Sequence, residues 1–171
     1  NNKVFAILGD GEMQEGQIWE GLMFAAQHKL DNMISILDFN KLQSDDYNKN
    51  IINIEPLKNK WEAFGWHTQE IDGHDFDQIK NAIKEGERNK EIPSMIIANT
   101  IKGKGVSFME DDNNWHYRTP NSEELAAALV EPANAIAHPT GASPAAGPTI
   151  AHQSLVNPTS GTTVHAAPVV S

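Results

Sequence analysis

The sequence predicts an α/β fold: a doubly wound, mainly parallel sheet with helices on both faces. Two observations lead to this prediction. Short apolar runs that stop at glycine, aspartate or asparagine alternate along residues 3–129 with stretches of helical character, as expected of repeated βαβ units. The first two runs are continuously apolar, which is typical of parallel strands buried on both faces.

The alternation predicts four strands and four helices. The strands are expected at residues 3–8, 33–39, 66–71 and 94–99. The helices are expected at residues 17–29, 56–64, 75–87 and 121–129. Asp75 with Gln78, and Asn121 with Glu124, have the spacing of capping boxes at the last two helix starts.

The helix over residues 17–29 is apolar on nearly every side. This pattern predicts a buried helix rather than a one-faced surface helix. Gly21 and Ala25 lie four residues apart and would let another backbone come close. Packing inside one domain and packing at a subunit interface both explain the pattern.

Charge divides the 171 residues into two regions. All 36 charged residues lie at or before Glu131, and the net charge of −10 belongs to that part. We therefore predict a folded domain over residues 1–131 and a low-complexity Ala/Pro/Thr/Ser tail over residues 132–171, disordered or a linker. The tail is either a natural linker or the product of a shifted reading frame. Its histidines, which a metal or docking tract could use, lack chelating spacing: His138, His152 and His165.

Composition excludes several classes of function. An acidic chain with a pI of about 5.0 is not expected to bind nucleic acid through phosphate neutralisation. The absence of cysteine excludes disulfides, thiol catalysis and thiolate metal sites. We find no signal peptide and no apolar run near the roughly 20 residues of a membrane span, so we expect a cytoplasmic protein without membrane contact.

Polar residues follow the predicted strands, where open parallel sheets bind their ligands. The first strand leads into Gly9-Asp10-Gly11, and the second leads into Asn40. Carboxylate and amide oxygens suit Mg²⁺ or Ca²⁺, and Mg²⁺ commonly completes its shell with phosphate oxygens. The residues therefore point to a metal-bridged diphosphate, although the same residues also suit a simple turn and a helix cap.

A wider pattern favours the diphosphate. Asn40 follows Gly11 after 28 intervening residues, and the whole resembles the thiamine diphosphate-binding motif. Residues 3–129 are similar in continuous register to transketolase, in particular to the N-terminal subunit of the two-chain form. The stretches that carry this resemblance are GDGEMQEGQIWEGLMFAAQHKLDN, EPLKNKWEAFGWHTQEIDGHD, TIKGKGVSFME and WHYRTPNSEEL.

The resemblance implies a cofactor site made of thiamine diphosphate and Mg²⁺, or Ca²⁺ or Mn²⁺ in its place. Asp10, Asn40 and the carbonyl of Leu42 match the metal ligands of the family. Gly9 belongs to the same motif, and the N–H of Gly11 matches a donor to the diphosphate. The metal ion offsets the cofactor's charge, so an acidic chain can bind it.

The resemblance also implies three catalytic residues. His116 matches a histidine near the diphosphate and substrate, although Tyr117 and Arg118 depart from the commoner Trp-His-Gly-Lys form; by itself it would be taken for a surface residue. Glu15 and Glu20 match acidic residues proposed to share protons between two active sites across a dimer contact, while the ordinary interpretation of Glu20 is an exposed helix glutamate.

Other polar residues receive simpler interpretations. The glycines of Lys102-Gly103-Lys104-Gly105 suit a loop that closes over the cofactor, or else a mobile surface turn. His67 and His74 are taken as structural residues.

The implied reaction moves a two-carbon ketol unit between sugar phosphates, as in the pentose phosphate pathway. The family's catalytic glutamate lies in a partner pyrimidine-binding subunit or domain, and pairs of subunits form dimers. The family also has a region before the first strand that this sequence lacks, so we expect a truncated module that is inactive alone. Two alternatives stay open: a deoxyxylulose phosphate synthase or 2-oxo acid dehydrogenase E1 type of enzyme, and a non-catalytic fragment or interaction module.

Overall fold

A computed structural model of the chain describes residues 2–137, with side chains to Glu131. Its centre is a four-stranded, fully parallel sheet, which confirms the predicted α/β class. The strands are β1 (Val4–Gly9), β2 (Met33–Phe39), β3 (His67–Asp72) and β4 (Ser94–Asn99). Their spatial order is β1-β2-β4-β3, so β1 and β3 form the two edges.

Within the described residues, five helices and two short 3₁₀ turns lie between the strands and after the last one. The helices are α1 (Gly16–Gln27), α2 (Asn48–Ile51), α3 (Leu57–Ala63), α4 (Phe76–Arg88) and α5 (Ser122–Ala137). The 3₁₀ turns span Gly11–Gln14 and Asn113–His116. Strands β2 and β4 have the predicted bounds. The other predicted elements, apart from the end of α5, differ by a residue or two, whereas α2 and both turns were not predicted.

The helix starts depend on side-chain caps. Asn121 Oδ1 accepts the Glu124 N–H at 2.9 Å while Glu124 Oε2 accepts the Asn121 N–H at 2.9 Å, which is the predicted capping box. Asp75 Oδ1 accepts the N–H groups of Asp77 and Gln78 at the start of α4. The capping box predicted at Asp75 is only half formed, so that part of the prediction is wrong. The Gln78 side chain does not accept the Asp75 N–H; it donates to the Asp75 carboxylate and accepts the N–H of Asp72.

Helix α5 also extends past its predicted end. It was expected to end at Leu129 but runs to Ala137, beyond the boundary at residue 131. The remainder of the predicted tail, with its three histidines, lies outside the described residues.

The core has two layers, one on each face of β2 and β4. On one face Leu37 and Met95 pack with α1 and α3, where Trp61 and Trp66 fill the space between helices and sheet. On the other face a smaller cluster joins both strands to α4: Ile34, Ile96 and Ala82. The central strands are therefore covered on both sides, as predicted.

The predicted burial of β1 is wrong within this chain. Phe5 and Ile7 point away from the α1 layer, and Ile7 is 76% exposed because α4 covers β2, β3 and β4 but not this edge. Helix α1 is also less buried than predicted. Leu22 and Ala25 enter the core, whereas Met23 and Phe24 face outward and Phe24 is 60% exposed.

Parallel register brings the carboxyl ends of the strands to one edge. Gly9 pairs with Asp38, and Asn99 pairs with both Phe39 and Asp72. The loops that follow all four strands therefore leave from the same side, where ligands of open α/β sheets bind. Among the described residues, no helix is long and apolar enough to cross a membrane.

Candidate functional site

Asp10 occupies the first turn after β1 and is only 2% exposed. Its carboxylate bridges the loops that follow β1 and β2. Oδ1 accepts the Gly11 N–H at 2.8 Å, and Oδ2 accepts the N–H of Lys41 in a short hydrogen bond. Within the described part of the chain, no Lys, Arg or His forms an ion pair with it.

Burial raises the pKa of Asp10 above its ordinary value, since desolvation disfavours the charged form. The Asn48 side chain and the N–H groups of Lys41 and Gly11 act in the opposite direction, and the nearby Asp38 carboxylate raises the pKa further. A buried carboxylate held by dipoles and lacking a cationic side chain is suited to accept a metal ion.

The loop after β2 carries Asn40 and Leu42. Asn40 Oδ1 accepts the Leu42 N–H at 3.0 Å, and Asn40 Nδ2 donates to Asp38 at 3.3 Å, so the amide orientation is set from both ends. Lys41 between them has a φ of 70°, a left-handed conformation that lets its N–H point to Asp10. Leu42 is buried, and its carbonyl accepts no hydrogen bond from the described residues.

The glycines allow close approach between these loops. A Cβ added at Gly11 would lie 3.0 Å from the Cβ of Gln43, so a larger residue would push the β1 and β2 loops apart. Gly9 ends β1, and its N–H donates to Glu12 Oε2 at 3.1 Å. The structure thus brings together Gly9, Asp10 and Gly11 with the Asn40 to Leu42 loop, as the sequence predicted.

The donor set fits a hard divalent cation. Asp10 supplies a carboxylate, Asn40 an amide oxygen and Leu42 a carbonyl, which are ligand types that Mg²⁺ and Ca²⁺ prefer. No cluster of three or more His, Cys, Asp or Glu side chains that could hold a metal occurs within residues 2–131. A cation at this edge would therefore have at most two such side chains as ligands, with neutral oxygens completing the set.

His116 lies in a different segment, at the end of the second 3₁₀ turn, and is exposed. Its ring contacts Tyr117 edge to face at 4.6 Å, and Arg118 stacks over Trp115 at 4.3 Å. The side chains that depart from the commoner motif therefore shape this loop. No described hydrogen bond joins His116 to Asp10 or Asn40.

The His116 segment is nevertheless anchored to the loop after β2. Asn113 Nδ2 donates to the Ser44 carbonyl at 3.2 Å, and Tyr47 Oη donates to Asp111 at 3.0 Å. These two contacts bring the segment that carries His116 to the metal-loop side of the sheet. The second contact also raises the pKa of Tyr47, because its hydroxyl donates to a carboxylate.

Glu15 and Glu20 stand apart from Asp10. Glu15 precedes α1 without a side-chain cap, and Glu20 lies on α1; both are exposed. Neither forms an ion pair with a described residue. Glu20 lies one helical turn from the outward-facing Met23 and Phe24, on a surface that the described residues leave uncovered.

The two histidines taken as structural make structural contacts. His74 Nε2 accepts the Ile101 N–H at 2.8 Å and so ties the β3 end to the glycine loop. His67 Nε2 lies 3.1 Å from Glu85 of α4.

Two residues of the site escaped sequence reasoning: Asp38 and Asn48. Asp38 orients Asn40 and accepts a hydrogen bond from Thr100 after β4. Its position two residues before Asn40 in the sequence could have indicated this contact. Asn48 is buried at the start of α2 and its N–H donates to the Lys41 carbonyl at 2.9 Å; nothing in its sequence surroundings indicates that contact.

Residues 1–131 match the family described as transketolase, thiamine diphosphate binding domain. A 6-deoxy-6-sulfo-D-fructose transketolase subunit of Clostridium sp. is 48% identical over 130 residues, which are 76% of this chain and 47% of that protein. An apulose-4-phosphate transketolase subunit of Actinobacillus succinogenes is 43% identical over 129 residues, 75% of this chain and 46% of that protein. The chain thus spans about half the length of these two relatives.

A solved structure shows the same likeness in three dimensions. Transketolase from Campylobacter jejuni superposes with a TM-score of 0.74 at 31% identity, over 78% of this chain and 21% of that one. With the buried Asp10 and the adjoining Asn40 loop in the positions described above, the chain belongs to the transketolase family, in which it represents the thiamine diphosphate binding domain.

Proposed function

We propose that this chain supplies the metal and diphosphate site of an enzyme that transfers a two-carbon ketol unit from a ketose phosphate to an aldose phosphate, in sugar phosphate metabolism such as the pentose phosphate pathway. The observation that carries the proposal is the buried Asp10 carboxylate, which is joined to the loop of Asn40 and Leu42 through the Lys41 N–H and lacks a described cationic partner. Membership of the transketolase family supports the cofactor and the reaction class.

Asp10, Asn40 and the Leu42 carbonyl would hold Mg²⁺, or Ca²⁺ or Mn²⁺ in its place. The Gly11 N–H would donate to the diphosphate after a small adjustment, since it now donates to Asp10. Gly9 ends β1 at the start of this turn. Thiamine diphosphate, when bound, supplies the electron sink that carbon–carbon cleavage needs.

The remaining roles belong to residues away from the metal loop. His116 would donate a hydrogen bond or exchange a proton with the substrate, and Tyr47 and Asn113 would hold its segment in place. The turns between Lys102 and Asp111 would cover the cofactor. The Asp111 N–H closes this loop by donating to the Lys102 carbonyl at 2.9 Å.

We propose that a pyrimidine-binding subunit or domain completes the site, and that this chain is inactive alone. Two relatives that are themselves named as transketolase subunits support a partner. The outward-facing Met23 and Phe24 support an interface at α1, where Glu15 and Glu20 would meet a second copy in a dimer of such pairs. We place this enzyme in the cytoplasm, free of membrane and nucleic acid. We also propose a folded domain over residues 1–131, from which helix α5 continues to Ala137 into the tail that begins at residue 132.

The alternative with the same cofactor is an enzyme of the deoxyxylulose phosphate synthase or 2-oxo acid dehydrogenase E1 type. The alternative of another class is a non-catalytic interaction module. The relatives with transketolase names favour the first proposal over both.

Calorimetry of thiamine diphosphate, with and without Mg²⁺, tests the site on this chain alone and with a pyrimidine-domain subunit. We expect Mg²⁺-dependent binding with the partner, and product analysis should show a new ketose phosphate from a ketose and an aldose phosphate. Release of CO₂ from a 2-oxo acid would support the alternative enzyme. Absence of binding, even with the partner, would contradict the proposal.

A further inference from the structure

Arg118 closes the turn that carries His116. Its guanidinium lies over the Trp115 ring, with Cζ 4.3 Å from the ring centroid. Residues 115–118, which we call the His116 turn, thus bring the side chain of the last residue back over that of the first. His116 and Tyr117 lie between these two, and their rings meet edge to face at 4.6 Å. The contact of Arg118 with Trp115 therefore restricts the conformation of the turn on both sides of His116.

The charge of Arg118 is neutralised by α5. Its Nη2 forms a short ion pair with Glu124 Oε1 in the first turn of that helix. Glu124 is itself held, because its Oε2 accepts the Asn121 N–H in the capping box at 2.9 Å. The Glu124 side chain is only 15% exposed. Arg118 is thus fixed at two points, by an indole face and by a carboxylate, an arrangement that suits a planar guanidinium.

A second acidic residue of α5 holds the loop over residues 102–111. Glu131 accepts the N–H of Ser107 at 2.6 Å and the Ser107 hydroxyl at 2.9 Å. Glu124 and Glu131 are seven residues apart, so they lie on one face of the helix after two turns. One face of α5 therefore contacts both the 102–111 loop and the His116 turn.

The contacts between these three segments close at Trp115. Its Nε1 donates to the Phe108 carbonyl at 3.0 Å, and the two rings pack with centroids 5.4 Å apart. Phe108 directly follows Ser107, so the 102–111 loop, α5 and the His116 turn each contact the other two. Among the described hydrogen bonds and ion pairs, the one with Arg118 alone joins the His116 turn to α5.

We infer that Arg118 is a positioning residue: by joining Trp115 to Glu124, it holds the His116 ring in the orientation from which that ring reaches the substrate. The inference rests on the proposed function, in which His116 donates a hydrogen bond to the substrate or exchanges a proton with it. Arg118 would not touch the substrate itself, since Glu124 neutralises its charge.

The test is a double-mutant cycle in the full chain combined with the pyrimidine-domain subunit, thiamine diphosphate and Mg²⁺. It compares Arg118→Met, His116→Ala and the double variant with the unsubstituted protein. We expect Arg118→Met to lower kcat by about tenfold or more and to change KM by less than about twofold, because a misplaced group slows the chemical step. In the His116→Ala background, the same substitution should change kcat by less than about twofold, since Arg118 acts through His116.

NMR of the full chain with isotope-labelled histidine reports the His116 ring directly. The His116 signals are assigned by their absence in His116→Ala. Arg118→Met should shift them and remove the nuclear Overhauser contact with the Tyr117 ring. The matched control is Arg88→Met, which removes an exposed arginine at the end of α4 and should change neither these signals nor kcat.

Thermal unfolding of each variant separates a loss of fold from a loss of orientation. If Arg118→Met does not fold, Arg118→Lys replaces it, because lysine lacks the planar group that stacks on Trp115.

Equal losses of kcat from Arg118→Met with and without the His116 side chain would overturn the inference, because Arg118 would then act independently of His116. A rise in KM with unchanged kcat would also overturn it and would place Arg118 in contact with an anionic substrate. If Arg118→Met keeps full activity, only the role of Arg118 is wrong. If the unsubstituted complex transfers no ketol unit, the proposed function fails, and the NMR comparison still decides whether Arg118 orients His116.

Discussion

Trp61 and Trp66 pack edge to face in the core, with ring centroids 4.9 Å apart and an interplanar angle of 79°. The two indoles differ in their hydrogen bonding. Trp66 Nε1 donates to the Leu22 carbonyl at 3.0 Å, whereas Trp61 Nε1 is buried without a partner among the described residues. The Trp66 bond joins α1, the helix after the metal loop, to the start of β3.

This difference predicts unequal costs of the same substitution. Trp66→Phe and Trp61→Phe remove similar volumes, but only Trp66→Phe breaks a hydrogen bond. We expect Trp66→Phe to lower the free energy of unfolding by about 1 kcal/mol more than Trp61→Phe. Urea denaturation of both variants measures the difference, and equal losses would show that the Leu22 bond contributes nothing.

Asp10→Ala should abolish the Mg²⁺-dependent part of thiamine diphosphate binding. The substitution removes the only charged ligand of the proposed donor set, so we expect a loss of more than about 100-fold in affinity. Calorimetry with and without Mg²⁺ measures it. Asp45→Ala, an exposed carboxylate in the next loop, is the control and should bind normally. Retained affinity in Asp10→Ala would place the metal elsewhere.

Asp75→Ala should destabilise the protein in a pH-dependent manner. The Gln78 N–H, the Gln78 side chain and the Asp77 N–H hold the pKa of Asp75 below its ordinary value of 3.8. A lowered folded-state pKa gives stability that is present above the unfolded value and is lost as the pH falls through the folded value. The unfolding free energies of Asp75→Ala and the unsubstituted protein should therefore converge below pH 3.8.

Urea denaturation of both proteins at several pH values, from about pH 7 down to about pH 3, checks this convergence. The control is Asp77→Ala, an exposed residue of the same helical turn whose carboxylate caps no N–H. A difference for Asp75→Ala that stays constant across the whole range would contradict the capping role.

The glycine loop offers a matched pair of substitutions. Gly103 and Gly105 both have positive φ, 74° and 97°, so alanine is strained at either position. A Cβ at Gly103 would also lie 2.4 Å from the Met109 carbonyl oxygen, whereas nothing lies within 4 Å of one at Gly105. Gly103→Ala must therefore displace the loop, and Gly105→Ala need not.

Amide hydrogen exchange at Asp111 reports this displacement, since its N–H closes the loop on Lys102. We expect exchange in Gly103→Ala to be at least about tenfold faster than in Gly105→Ala. If the loop covers the cofactor, cofactor affinity should also be lower in Gly103→Ala than in Gly105→Ala. Similar exchange in both variants would mean that backbone strain, rather than the contact with Met109, controls the loop.

Local patterns determined much of this protein. The runs at residues 33–39 and 94–99 become strands with the predicted bounds because they are apolar and end in turn residues. Asn121 and Glu124 form their capping box because both partners lie within one helical turn. The Gly-Asp-Gly turn and Asn40 meet at one edge because parallel strands end on the same side.

Tertiary structure alone decided the rest, because it depends on contacts between residues distant in sequence. The order β1-β2-β4-β3 leaves β1 at an edge, so Phe5 and Ile7 are exposed although their sequence is that of a buried strand. Only the folding of the loop back on itself places Asn48 against the Lys41 carbonyl, next to the candidate metal loop. Sequence thus predicted the ligands of the candidate metal site, whereas long-range packing determined which residues surround them.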